Sequence, residues 1–186
     1  MTMKFGFGQP LKRKEDDPLL RGAGRYIADV GPANPFHALP FPFNIRRTLG
    51  LWKFLFLDGR PFIPNPSQSA QWNRGSYLVN APGHCAECHS PRNMLGAVKR
   101  NLRFTGGPAP DGQGGVPNIT QQKLKNWTVK DIADTLTTGM TPDADFVGGS
   151  MVEVVRNTSQ LSVADREAMA TYIKSLPAAG GSPSGK

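Results

Sequence analysis

The sequence predicts an all-α domain of three or more helices and long loops, entered through an irregular N-terminal extension. Three observations lead there. Two helix starts carry the same Thr/Ser-x-x-Asp signature, apolar stripes of helical period follow each of them, and a loop of about 35 residues lies between helices with no regular pattern of its own. A loop that long argues against a compact domain unless some group organises it. Composition points the same way. Hydrophobic residues make up 38% of the 186-residue chain, beside 21 Gly and 17 Pro, so a group filling part of the core would supply apolar material that the side chains lack.

Four segments separate along the chain. Residues 1–36 mix charges and glycines without periodicity, and residues 37–67 form a linker punctuated by Pro40, Pro42, Pro61, Pro64 and Pro66 around one short apolar helix. Residues 68–178 read as the folded domain, and residues 179–186 as a flexible tail. The longest apolar run, Leu49 to Leu57, is broken by Gly50 and Lys53 and falls short of the ~18 residues of a membrane span. The first residues, MTMKFGFGQPLKRKEDD, hold neither an apolar core nor a small-residue cleavage site, so they are not expected to be a signal peptide.

Within 68–178 three helices are predicted. The first runs from Ala70 to Val79 and stops before the turn Pro82-Gly83. The second starts at Thr128, where Thr128 and Asp131 make a capping box; Val129, Ile132, Ala133 and Leu136 share one face, and Gly139 ends it. The third starts at Ser162 with a second box to Asp165, buries Met169, Tyr172, Ile173 and Leu176, and stops at Pro177.

The chemistry is carried by Cys85-Ala86-Glu87-Cys88-His89, a C-x-x-C-H sequence. Two thiols separated by two residues on a tight turn reach both vinyl groups of one porphyrin, and the next residue then puts its imidazole on the iron. The motif therefore predicts one covalent haem c, held by Cys85 and Cys88 with His89 as proximal ligand. A thioredoxin-like use of the pair lacks its βαβ setting, and a zinc site lacks a second ligand pair, since His84 and His37 fall at unsuitable spacing. His84 reads as a partly exposed loop residue. The distal ligand decides between a saturated electron carrier and an open, reactive haem. Met94 follows His89 too closely to reach the other porphyrin face, and Met169 belongs to the helical stripe. Met140 and Met151, 51 and 62 residues past His89, remain, and spacing does not separate them.

Five stretches carry a family resemblance: PFPFNIRRTLGLWKFLFLDGRPF (Pro40 to Phe62), SAQWNRGSYLVNAPGHCAECHSPRN (Ser69 to Asn93), VPNIT (Val116 to Thr120), GGSMVEVV (Gly148 to Val155) and Leu161 to Pro177. In them the chain resembles the cytochrome c subunit of membrane-bound bacterial dehydrogenases for alcohols, sugar acids and aldehydes, whose pattern is three cytochrome domains in tandem. The resemblance implies a class I cytochrome c-like fold, Met151 as distal iron ligand, the Pro117 carbonyl as support for the proximal imidazole, and Trp127 as a donor to a haem propionate. A core role for Trp127 at a helix start is the competing reading. A single C-x-x-C-H is present, so the chain matches one domain of that pattern. Gly8 to Val30 instead resembles the opening of the molybdopterin-binding large subunit of xanthine dehydrogenase-like hydroxylases, without any of its cofactor-binding parts.

The expected function is electron transfer, not catalysis: single electrons pass from a dehydrogenase subunit to a quinone or a terminal oxidase. A haem enzyme or sensor with a labile distal ligand is the alternative, as is a gene fragment that stays apo. Haem c attachment places the working protein on the periplasmic side of the bacterial inner membrane, which the absent signal peptide does not explain. The net charge of +8 suits an acidic partner or an anionic membrane surface, with ten Lys/Arg against five Asp/Glu in residues 1–67. No nucleic-acid motif accompanies it, so nucleic acid is not expected as a partner. Arg92, Lys99, Arg100 and Arg103 follow the motif as a cluster that would steer an acidic partner, and Arg46 to Leu57 is an apolar stretch expected to be covered by the domain, a partner subunit or a membrane interface.

Overall fold

The computed structural model describes residues 41, 45–109 and 114–178. Residues 1–36, with the Gly8 to Val30 stretch, and the tail 179–186 lie outside them. The described residues fall into two units, divided between Leu57 and Asp58. In the first, α1 spans Arg46–Phe56, and the Trp52 and Phe56 rings, one turn apart, meet at 5.4 Å. No helix is long and apolar enough among the described residues to cross a membrane.

The second unit is built on the crossing of its first and last long helices. Helix α2, Ala70–Asn80, starts where the Ser69 hydroxyl accepts the Trp72 N–H, as the sequence predicts to within a residue. Helix α7, Val163–Lys174, lies across it. They approach through Gly75: a Cβ built there would stand 1.9 Å from the Ala168 carbonyl oxygen, so only glycine permits this contact. Around it, the Trp72 ring meets Tyr172 edge-on at 5.1 Å, and the Trp72 indole N–H donates to the Ser175 hydroxyl at 2.7 Å. Ahead of α2, Phe62 packs edge-on against Tyr77, and Asn65 exchanges backbone hydrogen bonds with the Asn73 amide.

The fold class is all-α, as predicted; seven α-helical segments dominate the described residues. Short elements follow the C-x-x-C-H turn, which forms α3, Cys85–Cys88. The loop expected to be irregular has structure of its own: an antiparallel bridge between Arg92 and Val98, a 3-10 turn at Arg100–Leu102, and β1 (Gly107–Pro108) paired with β2 (Gly115–Val116). Helix α4, Gln121–Leu124, is capped by the Thr120 hydroxyl. These elements are too short to leave a periodic trace in sequence.

Helix α5, Val129–Thr138, forms the predicted box in full, with the Thr128 hydroxyl on the Asp131 N–H and the Asp131 carboxylate on the Thr128 N–H, and Gly139 ends it at φ +79°. At α7 the prediction needs correction. Ser162 caps the Asp165 N–H, but the Asp165 carboxylate turns to Arg74 on α2, accepting at 2.7 and 3.1 Å. That bidentate pair ties the two crossing helices at the N-terminal end of α7. Helix α6, Met151–Thr158, is an addition: it lacks a side-chain cap, is eight residues long and buries only Val155 and Thr158. The Thr158 hydroxyl, donating to the Leu136 carbonyl at 2.6 Å, fastens α6 to α5. The core joins all of these: Met169, Tyr172, Ile173 and Leu176 are buried as predicted, with Leu78, Val79, Phe104, Ile132 and Leu136.

Two outcomes follow. Gly75→Ala gains about 1 kcal/mol of helix propensity but drives a methyl into the Ala168 carbonyl. Overpacking costs ~1–3 kcal/mol or more, so calorimetry should show a net loss of Tm. Asp165→Asn addresses the ion pair. The Arg74 guanidinium holds the Asp165 carboxyl below its ordinary value of 3.8, so the pair's stabilisation is present above that pH and lost as pH falls through the lowered value. Because both partners are partly solvated, the wild type should exceed the variant by only ~0–1 kcal/mol at neutral pH, and the gap should close in acid. Denaturant titrations at pH 7 and below pH 3.8 read both.

Candidate functional site

The site begins with a tight turn. A Cβ at Gly83 would stand 2.7 Å from the Leu78 carbonyl oxygen, so the chain folds back closely after α2. His84 is exposed and takes the left-handed conformation, φ +33°, as the N-terminal boundary of α3. From there α3 carries Cys85 half-buried against the core and Cys88 exposed. Burial pushes the Cys85 thiol up to about 11, so it remains protonated at neutral pH.

His89 closes α3, its N–H donating to the Cys85 carbonyl. The imidazole Nδ1 lies 2.8 Å from the Pro117 carbonyl oxygen. A carbonyl only accepts, so Nδ1 carries the proton and Nε2 keeps its lone pair. Burial lowers the His89 pKa, and the Pro117 hydrogen bond partly opposes this. A ring with one nitrogen fixed to a backbone carbonyl and the other free has the arrangement of an oriented metal ligand. The residues from three separated segments predicted to act together are therefore partly assembled: Cys85, Cys88 and His89 on one turn, with Pro117 meeting them 28 residues later.

The methionines separate by environment. Met94 is fully exposed, at the tip of the 92–98 bridge, and Met169 is a core residue at 2% exposure. Met140 is exposed, in an isolated bridge with Phe146, whereas Met151 opens α6 half-buried on the same core that Cys85 packs against. Trp127, just before the α5 cap, is also half-buried on that core, with Ile119 and Val129. The basic cluster is less free than its composition suggested. Arg92 is spent on the Glu87 carboxylate, the Glu87 carbonyl and the Gly96 carbonyl, and Arg103 donates to Asn80.

The cytochrome c family model matches residues 73–177, from α2 through the end of α7. The chain belongs to the cytochrome c family. It is 50% identical over 142 residues to a diheme cytochrome c-type protein of Cereibacter sphaeroides, covering 76% of this chain and 47% of that one. It is 38% identical over 157 residues to the fructose dehydrogenase cytochrome subunit of Gluconobacter japonicus, covering 82% and 32%. With the cytochrome c subunit of a quinone-linked alcohol dehydrogenase of Gluconobacter oxydans it shares 32% over 187 residues, 94% and 38% of the two chains. The chain thus spans less than half the length of each of these relatives.

The residues of this cytochrome fit its covalent haem. The donor set is complete on the proximal side: two thiols one turn apart and an imidazole nitrogen left free by the Pro117 bond. The core beside them is unfinished, because Cys85, Ile119, Trp127, Val129 and Met151 stay partly exposed on it, apolar surface that a porphyrin would cover. When bound, haem c supplies one-electron chemistry; Cys85 and Cys88 would attach it, and His89, held through Nδ1, would be its oriented ligand. Sequence reasoning did not find the strap that holds Pro117 in place. Ser90 is buried and accepts the Phe104 N–H, and Gly106 donates to the His89 carbonyl. The Gly106-Gly107 pair was the available signal, a place where backbone must approach backbone.

Attachment is testable by chemistry that survives unfolding. After acid-acetone extraction of the denatured protein, wild type should retain haem stain, Cys85→Ala and Cys88→Ala should each retain it through one thioether, and the double variant should lose it.

Proposed function

We propose that this chain is a monohaem electron-transfer unit that takes single electrons from a dehydrogenase subunit and passes them to a quinone or a terminal oxidase on the periplasmic face of the inner membrane. The observation that carries the reading is the His89 imidazole, fixed through Nδ1 to Pro117 beside two cysteines one turn apart. Two cysteines attach one haem, and the sequence holds two. Dehydrogenase partnership is supported by the fructose dehydrogenase and alcohol dehydrogenase relatives, and the quinone by the name of the second.

In this reading Cys85 and Cys88 hold the porphyrin covalently, His89 binds the iron through Nε2, and Met151 takes the opposite axial position. What supports Met151 over Met140 is its half-buried place on the core, against a solvent-exposed Met140. Thioether ligation favours ferrous iron and so a high potential. Trp127 is assigned to a propionate oxygen through its indole N–H, which its half-buried position beside the α5 cap allows. An electron carrier needs ligands that do not move between oxidation states. Here each sits at an element end fixed by backbone hydrogen bonds, Met151 at the start of α6 and His89 at the end of α3.

The distal assignment is read by ligand substitution. Met151→Ala should keep its haem on denaturation, lose the far-red ferric band of methionine–iron ligation, bind carbon monoxide readily in the ferrous state, and show a lower midpoint potential. Met140→Ala should keep spectrum and potential and cost about 1 kcal/mol or less of stability. Reversed behaviour would assign the ligand to Met140, and an unchanged spectrum in both would favour an open haem.

A further inference from the structure

The strap behind His89 closes into a ring of four hydrogen bonds. The Pro117 carbonyl accepts from His89 Nδ1 at 2.8 Å, and the His89 carbonyl accepts from the Gly106 N–H at 2.8 Å. The Ser90 hydroxyl accepts from the Phe104 N–H at 3.0 Å, and the Phe104 carbonyl accepts from the Ile119 N–H at 2.9 Å. The chain itself supplies the other links: Ser90 adjoins His89, Phe104 lies two residues before Gly106, and Ile119 lies two after Pro117. Three of the four acceptors are carbonyls that any sequence would provide. The fourth, the Ser90 oxygen, belongs to a side chain and is 4% exposed as a residue.

Phe104 is where that side chain matters most. It is fully buried at φ +68°, a left-handed conformation that a bulky residue adopts only when its surroundings impose it. Its N–H has the Ser90 oxygen as its partner and its carbonyl holds Ile119, so Ser90 fixes the peptide from which the Pro117 segment hangs. Gly106 bears on the same place. A Cβ there would stand 2.6 Å from the Val116 oxygen and 2.9 Å from the Pro117 carbonyl carbon, so the two strands of the strap are in direct contact.

We propose that Ser90 is a positioning residue for the haem iron: through Phe104 and Ile119 its hydroxyl sets the length of the Pro117 hydrogen bond to His89, and thereby the redox potential. This deepens the electron-transfer reading and rests on it. A strong bond from Nδ1 gives the ring partial imidazolate character, which favours ferric iron. Loosening the strap weakens that bond and raises the potential.

The test uses the full holoprotein. Ser90→Ala leaves the Phe104 N–H buried without its acceptor, and should raise the midpoint potential and speed hydrogen exchange at His89 Nδ1, read by NMR of the ferrous form, by roughly tenfold or more. Ser90→Thr, which keeps the hydroxyl, should return both toward wild type. Ser175→Ala is the control for simple loosening, since it removes the acceptor of the buried Trp72 indole away from the strap; it should lower Tm and leave the potential unchanged. If Ser175→Ala moves the potential as far as Ser90→Ala, or Ser90→Ala moves neither readout, the positioning role is wrong. Should Ser90→Ala fail to accumulate, the wild type still decides: the Phe104, Gly106 and His89 Nδ1 protons should show similar protection, each relative to its own intrinsic exchange rate, as one opening unit, and a His89 proton far less protected than the two amides overturns the proposal. Absence of His89 ligation in the wild type would instead overturn the electron-transfer reading itself.

Discussion

The contact on which the rest of this domain depends is the crossing of α2 and α7 at Gly75. Dispersion falls off steeply with distance, so two helices gain most when their backbones approach, and a missing Cβ is what allows it. The crossing joins the two ends of the domain, about 90 residues apart in sequence. Trp72, Tyr172 and the Arg74–Asp165 pair then lock the angle from opposite sides. Once α2 is anchored, the direction of the chain through Gly83 is set, and with it the position of α3 and its two cysteines. The haem turn is thus placed by a helix contact that contains no haem ligand.

The long helices were legible because their signals are local. Thr128 and Ser162 each cap the helix that follows, as read, and the apolar stripe behind Ser162 is buried residue for residue; the Ser69 cap of α2 was not read from the sequence. The C-x-x-C-H turn was legible for a different reason, since its function fixes its spacing. What the sequence hid is what depends on distant partners. The Asp165 carboxylate had a local partner and a remote one, and the bidentate guanidinium of Arg74 won over a single backbone N–H, as a charge-assisted pair of bonds should. Helix α6 was missed because it is only eight residues long and starts without a side-chain cap, and the bond that fastens it, Thr158 to the Leu136 carbonyl, runs to another helix. The basic cluster after the motif looked like one surface in sequence, but Arg92 and Arg103 are engaged by Glu87, Gly96 and Asn80.

The loop between α3 and α5 illustrates how a segment without periodicity can still be determined. Its order comes from single residues that fix turns: Asn93 accepts from the Leu95 and Ala97 amides, Gly106 takes φ +81°, and Asn118 accepts the Thr120 N–H before the Thr120 hydroxyl caps α4. Each is a side chain or glycine standing in for regular structure by giving a backbone group its partner. Thr120 shows how tightly the result packs, because it is completely buried, with its hydroxyl reaching the Ala178 carbonyl past the end of α7.

These two modes of construction divide the labour of the site. The helices supply most of the core, and the strap joins it through the buried Phe104 ring and Ile119 while its hydrogen bonds set where the Pro117 acceptor stands. In the proposed reading a carbonyl is a suitable acceptor for the imidazole that binds the iron, because it is neutral and has no proton to exchange. Proline adds a second advantage: its fixed φ and missing N–H leave the residue without a donor that would itself need a partner inside the strap. The support of His89 is therefore neutral and rigid, so it responds little to a change in iron charge, which is the property an electron carrier needs from the residue behind its ligand.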